Sequence, residues 1–276
     1  MVAKLIIERF GTFMKINFLN LVRHKFLYFL LGLVFILLVY RDYITTYLFF
    51  DANAPDLANF DGIAIKNELL RSNLDINVLL FNVGFYQSFL LPIIISLLGF
   101  NYVTLKTKFI KLSIGKNDCY FKFRKHLSWQ LASLPVLLYL IIVGIVVIIT
   151  MLAGTFQLSG KEHLLSETSV LRYFLNSDLI LFIFSIILVC VAIFVNSLFL
   201  FKIIDVLQNP IKSAIDYLMF IWLGSIILYH FMPFYLVPMT TFMITSYGNL
   251  DIQTLLLPYC FYMCGYAILK KYEDEI

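Results

Sequence analysis

The sequence predicts an all-α polytopic membrane protein: six transmembrane helices, an N-terminal interfacial helix before them and a short return element before the last helix. Two observations carry that prediction and a third orients it. Six long runs contain no acidic or basic side chain: Phe26 to Tyr40, Ile76 to Leu105, His126 to Gly160, Leu179 to Phe201, Tyr217 to Leu250 and Ile252 to Leu269. A hydrocarbon core about 30 Å thick takes roughly 20 apolar residues of helix, and the four middle runs exceed that unaided. The composition agrees: 61% of the 276 residues are hydrophobic, 14% are charged, and mean hydropathy is +0.90. No water-soluble domain of that size could hide so much apolar surface. Runs such as Leu134 to Val143 do not alternate polar and apolar residues as barrel strands do. The backbone must then satisfy its own hydrogen bonds as helix.

The third observation is the distribution of charge. Sixteen Lys and Arg residues fall before the first span, between spans two and three, between spans four and five, and in the tail. Only five, Arg41, Lys66, Arg71, Lys161 and Arg172, fall on the opposite side, together with ten of the seventeen acidic residues. Cytoplasmic loops retain positive charge, which places both termini in the cytosol. The net charge of +4 follows from this topology and calls for no nucleic-acid partner.

In chain order, residues 1–25 put Ile6, Phe10, Phe13 and the Ile16–Asn17 position near one helix face with basic residues between them. That pattern suits a helix lying in the cytoplasmic interface. No small-residue cleavage motif follows the first apolar segment, so it is expected to be retained. The spans are expected at 26–45, 80–103, 128–153, 178–202, 213–232 and 251–269. Residues 41–75 form a small extracytoplasmic segment, in which Ile63 to Leu74 has the spacing of a short amphipathic helix. Residues 104–127 form a lysine-rich cytosolic loop broken at Gly115-Lys116-Asn117-Asp118. Two prolines, Pro233 and Pro238, break the fifth charge-free run, so residues 233–249 are read as an extracytoplasmic return element along the membrane boundary.

Several chemistries are excluded. No Gly-rich phosphate loop ending in Lys-Ser or Lys-Thr is present, and no His-Glu-x-x-His pattern. The histidines are scattered, and Cys119, Cys190, Cys260 and Cys264 lack metal-type or redox-type spacing. Asp42, Asp178, Asp216 and Asp251 sit at expected helix ends, with Asp178 read as a cap, which argues against a proton path through the bilayer centre. Polar residues within the spans either hydrogen-bond between helices or line a path for substrate. Asn82, Gln87, Asn196 and Ser197 are the candidates for such a path.

The six-span plan, the interfacial N-terminus, the broken return element and the loop residues Leu112-Ser113-Ile114-Gly115 leading to Tyr120 and Lys125 together resemble the ABC-2 type permeases, the membrane subunits of ATP-binding cassette exporters. The proline common in that loop is missing, as is the acidic residue often found at the end of the second span, where this chain has Asn101 to Lys106. The resemblance implies a permease subunit that exports an amphipathic or hydrophobic substrate, a peptide, lipid or drug. It implies no catalysis and no cofactor in this chain, with ATP and Mg bound by a separate cytosolic ATPase. It further implies a second permease copy or homologue, surrounding membrane lipids, and contact with the ATPase through Lys111, Leu112, Ser113, Ile114, Gly115, Lys116 and Tyr120. A residue bias toward Ile, Lys, Asn and Phe points to a bacterial cytoplasmic (inner) membrane as the location. Two other classes stay open: a membrane-embedded peptide-binding or immunity protein that does not transport, and a secondary transporter. The topology is testable by thiol labelling. A cysteine at Ser113 is expected to react from the cytosolic side and one at Asn67 from the opposite side, and the reverse result would invert the assignment.

Overall fold

The computed structural model describes residues 25–57, 61–107, 117–154, 177–243 and 251–273. Among them the chain is helix and turn, with no strand. The helices are α1 (Lys25–Val39), α2 (Arg41–Phe49), α3 (Gly62–Ser72), α4 (Ile76–Leu105), α5 (Asn117–Ala153), α6 (Asp178–Leu207), α7 (Pro210–Ile221), α8 (Leu223–Phe231) and α9 (Ile252–Glu273). Four stretches are long and apolar enough to cross a bilayer: α4, the Arg124–Ala153 part of α5, Leu179–Leu207 of α6, and α7–α8 taken together. The bent pair α1–α2 makes a fifth if it is counted as one span. The expected interfacial helix over residues 1–25 lies outside the described residues apart from Lys25, where α1 begins.

Helix ends follow local chemistry. Asp61 caps α3 by accepting from the Ile63 and Ala64 amides at 3.1 and 3.2 Å. Asp75 caps α4 through the Asn77 amide at 2.8 Å. Each cap supplies one of the acceptors that the first turn of a helix lacks. At the start of α6 the capping side chain is Ser177, whose hydroxyl accepts from the Ile180 amide, rather than the expected Asp178. The reversal from α6 to α7 takes only Gln208 and Asn209. Gln208 adopts a left-handed φ of 54°, Asn209 caps the Ile211 and Lys212 amides, and Pro210 occupies the first helical position.

Helices α4 and α6 run through the middle of the bundle. Against them pack α1, α5, α7 and α9. Gly99 brings the central pair together, because a Cβ there would lie 2.8 Å from Ile204 Cδ1 and 3.2 Å from Leu200 Cδ2. One turn on, the Tyr102 ring stacks on Phe201 with centroids 4.6 Å apart. Phe199, Phe220 and Tyr262 then join α6, α7 and α9 through ring contacts of 5.3 to 5.7 Å.

One expectation changes. The first span does not run straight from 26 to 45. It breaks at Tyr40, and α2 leaves the α1 axis by 62°. Asn82 of α4 donates to the Val39 carbonyl at 3.2 Å, so the break occurs where a side chain from a neighbouring helix supplies a partner for backbone. The proline-broken segment after α8, expected as a return element, is described over residues 233–243. It forms two short 3₁₀ turns, Phe234–Leu236 and Pro238–Phe242, packed among α4, α6, α7, α8 and α9 with Pro238, Thr241 and Phe242 buried. A proline-broken chain exposes backbone groups that hydrocarbon cannot satisfy, and burial beside polar side chains resolves that problem. Residues 244–249 of the expected return element lie outside the described residues.

The Gly99 seam yields a paired test. Gly99→Leu is expected to destabilise the fold by about 1–3 kcal/mol through overpacking against α6. Gly144→Ala, with nothing within 4 Å of its added Cβ, is expected to be neutral or stabilising. Thermal unfolding of the detergent-purified chain reads both.

Candidate functional site

One buried carboxylate gathers three helices at the end of the bundle that carries Lys106, Arg124, Lys212, Lys270 and Lys271. Asp205 lies in the last turn of α6 with its side chain 8% exposed. Tyr102 of α4 donates its hydroxyl to the two carboxylate oxygens at 2.9 and 3.1 Å. Lys106, one turn further along α4, places Nζ 2.6 Å from Oδ1. Arg124, near the start of α5, brings Nε to 3.9 Å from Oδ2, an ion-pair distance longer than a hydrogen bond. A carboxylate at such depth persists because cations and a hydroxyl replace the water it has lost. Beside this cluster Asn101 donates to the Tyr28 hydroxyl at 3.0 Å, which ties α1 to the same end of α4. The Lys202 amine lies 5.4 Å from the Tyr266 ring and the Lys125 amine 5.9 Å from the Trp129 ring, contacts that join α6 to α9 and brace the start of α5.

A second set of polar groups surrounds the return segment. Ser225 of α8 accepts the Met239 amide at 3.1 Å, and the Tyr262 hydroxyl of α9 donates to the Pro238 carbonyl at 3.2 Å. Gln87 of α4 donates to the Phe242 carbonyl. Tyr217 donates its hydroxyl to Asn196 Oδ1 at 3.1 Å, and the Asn196 amide turns back to the Ala192 carbonyl at 2.9 Å. Among the described residues, Gln87 Oε1, Trp222 Nε1 and the Tyr259 hydroxyl are buried without a hydrogen-bond partner. Trp222 stands three residues before Ser225, and Tyr259 three before Tyr262, so each shares a helix face with a residue that holds the segment.

Of the residues proposed to line a path, Gln87 reaches the return segment at Phe242, and Asn196 joins α6 to α7 through Tyr217. Ser197 is fully buried and donates to the Ile193 carbonyl of its own helix at 2.8 Å. Asn82 belongs elsewhere, holding the α1–α2 elbow through Val39 and Asp42. The expected coupling residues Lys111, Leu112, Ser113, Ile114, Gly115 and Lys116 lie outside the described residues, and of Tyr120 only the helical backbone is described. Helix α5 begins at Asn117, within the Gly-Lys-Asn-Asp break, so the stretch leading into the third span is helical.

Asp205 and Tyr102 escaped the sequence reading because the fourth span was closed at residue 202. The stronger stop signal, Asn209-Pro210, lies seven residues further on, and it would have placed Asp205 inside the helix. No group of three or more His, Cys, Asp or Glu side chains suited to a metal occurs among the described residues. Comparison of the chain with protein-family models, with curated proteins and with solved structures returns no match.

The cluster makes a stability prediction. Asp205→Asn is expected to cost more than the about 1 kcal/mol of an exposed pair and less than the about 3–5 kcal/mol of a fully buried one, because Lys106 is 22% exposed. Tyr102→Phe is expected to cost about 1 kcal/mol. In a double-mutant cycle, Lys106→Met combined with Asp205→Asn should cost less than the sum of the single changes. Strict additivity in detergent unfolding would show that the two side chains do not act together.

Proposed function

We propose that the chain is the permease half of an ATP-driven exporter, six spans with α1 as the first and α9 as the sixth, moved by a separate ATPase that grips the loop between α4 and α5. In this reading the Lys106–Arg124 end faces the cytosol of a bacterium, and the cargo is an amphipathic or hydrophobic peptide, lipid or drug. One observation carries the reading most directly: Lys106 and Arg124 flank that loop, and both reach Asp205 on α6. A force applied to the loop would be felt at once by α4, α5 and α6. A ligand or nucleotide shifts a conformational equilibrium only through contacts that differ between states, and a loop fixed at both roots can deliver such a difference.

The uncharged polar seam supports the cargo class. Gln87, Tyr217, Asn196 and Tyr262 offer hydrogen bonds without net charge, in keeping with a weakly polar amphipathic molecule rather than a highly charged polymer. A proton-coupled carrier is disfavoured, because Asp205 sits in the last turn of α6 and is paired with Lys106 instead of standing at the bilayer centre.

Charge reversal at Lys111 and Lys116 is expected to lower permease-stimulated ATP hydrolysis by the copurified ATPase while leaving membrane insertion intact. Unchanged stimulation would remove the loop from the coupling role. Stoichiometric peptide binding by the isolated chain, with no ATPase copurifying, would instead favour a non-transporting peptide-binding protein.

A further inference from the structure

We infer that the α1–α2 elbow, with α3 against it, is a surface for lipid: α2 lies slanted in the membrane leaflet at the end of the bundle opposite Asp205 instead of continuing the first span along the axis of α1. The geometry starts from length. Helix α1 ends at Val39, just before the elbow. The nine residues of α2 measure about 13 Å, and turned 62° from α1 they advance only about 6 Å along its axis. The helix therefore travels mostly sideways to α1.

Its side chains fit that position. None of its residues is buried, and Tyr47, Leu48 and Phe49 are exposed at 60%, 62% and 79%. On α1 the exposed residues Phe26, Phe29, Leu30, Leu33 and Leu37 form one stripe at helical spacing. Exposed apolar side chains thus lie on both sides of the bend.

Cations stand where headgroup phosphates would be. Arg41 is exposed at the elbow, and Lys66 of α3 extends its amine to 5.8 Å from the Tyr47 ring. Tyr43 and Tyr47 stack at 6.5 Å, giving the short helix the aromatic character of an interfacial belt. The water side is equally distinct, since Asp51 and Asp61 are occupied in capping turns and loop amides. Asn73 fixes α3 on α2 through the Thr46 hydroxyl at 3.0 Å, so the two helices present this surface together.

The test uses the full-length chain in lipid nanodiscs, with Phe49→Trp and, separately, Leu48→Trp added to the native tryptophans. Asn53→Trp in the adjoining loop is the aqueous control. The added emission at 49 and 48 is expected to be blue-shifted and quenched by phosphatidylcholine brominated near the headgroup, with iodide having little effect, and the pattern at 53 is expected to reverse. Iodide quenching at 49 and 48 equal to that at 53 would place α2 in water and overturn the inference. Protection from both quenchers would also overturn it, showing that protein covers the helix. None of these outcomes depends on an ATPase, so the proposed transport function stands or falls separately.

Discussion

A polar side chain in hydrocarbon has no water to fall back on, and helix α4 carries several through the middle of the bundle. Four of them reach other elements: Asn82 to the elbow of α1 and α2, Gln87 to the return segment, Asn101 to α1 and Tyr102 to α6. Ser88 turns to its own helix at Phe85, and the buried Ser96 hydroxyl has no partner among the described residues. Dispersion alone orders apolar helices weakly against one another in lipid, because the acyl chains are as apolar as leucine. Directional hydrogen bonds from one central helix fix register and rotation where packing by itself would permit several arrangements. The rest of the fold is arranged so that α4 keeps these partners.

Charge is handled by the same logic, with higher stakes. An ammonium and a carboxylate at the edge of a bundle are tolerable only if each neutralises the other and the remaining lone pairs are used. Asp205 meets that condition with Tyr102 and Lys106 from one face of α4, the face that also carries Gly99. Residues 99, 102 and 106 thus make a seam in which a missing side chain, an aromatic ring and an amine each fit a complementary feature of α6. The seam joins α4 to α6 more firmly than helix propensity or hydropathy would require.

The sequence showed the helices well because charge in lipid is expensive and its absence is easy to count. Four of its six charge-free runs contain the core of α4, α5, α6 and α7–α8, with ends displaced by a few residues. It showed the breaks poorly. Tyr40 bears no proline or glycine, and the kink there rests on an amide from Asn82, more than forty residues away, which no local pattern records. Pro233 and Pro238 announced a broken segment correctly, but its burial depends on Ser225, Gln87 and Tyr262 converging from three helices. Of the candidate site, the polar members of the seam were visible as polar residues within spans. The Asp205 cluster was not, because a carboxylate near a helix end looks like a loop residue until the true stop at Asn209-Pro210 is recognised.

These features make α4 a beam with a joint at each end. Tyr102 and Lys106 fasten one end to α6, while Gln87, fifteen residues or about 22 Å earlier, fastens the other part to the return segment. The Gly99 contact seats α4 directly on α6, so a displacement of the Lys106 end bears on both helices. Of the two path residues, Gln87 holds the segment at Phe242, while Asn196 bonds Tyr217 of α7 and the Ala192 carbonyl of its own helix. Among the described residues Gln87 Oε1 has no hydrogen-bond partner. Such an atom costs about 1–3 kcal/mol relative to a paired one. Gln87 therefore fastens the return segment through its amide nitrogen alone, whereas the joint at the other end combines an ion pair with hydroxyl hydrogen bonds.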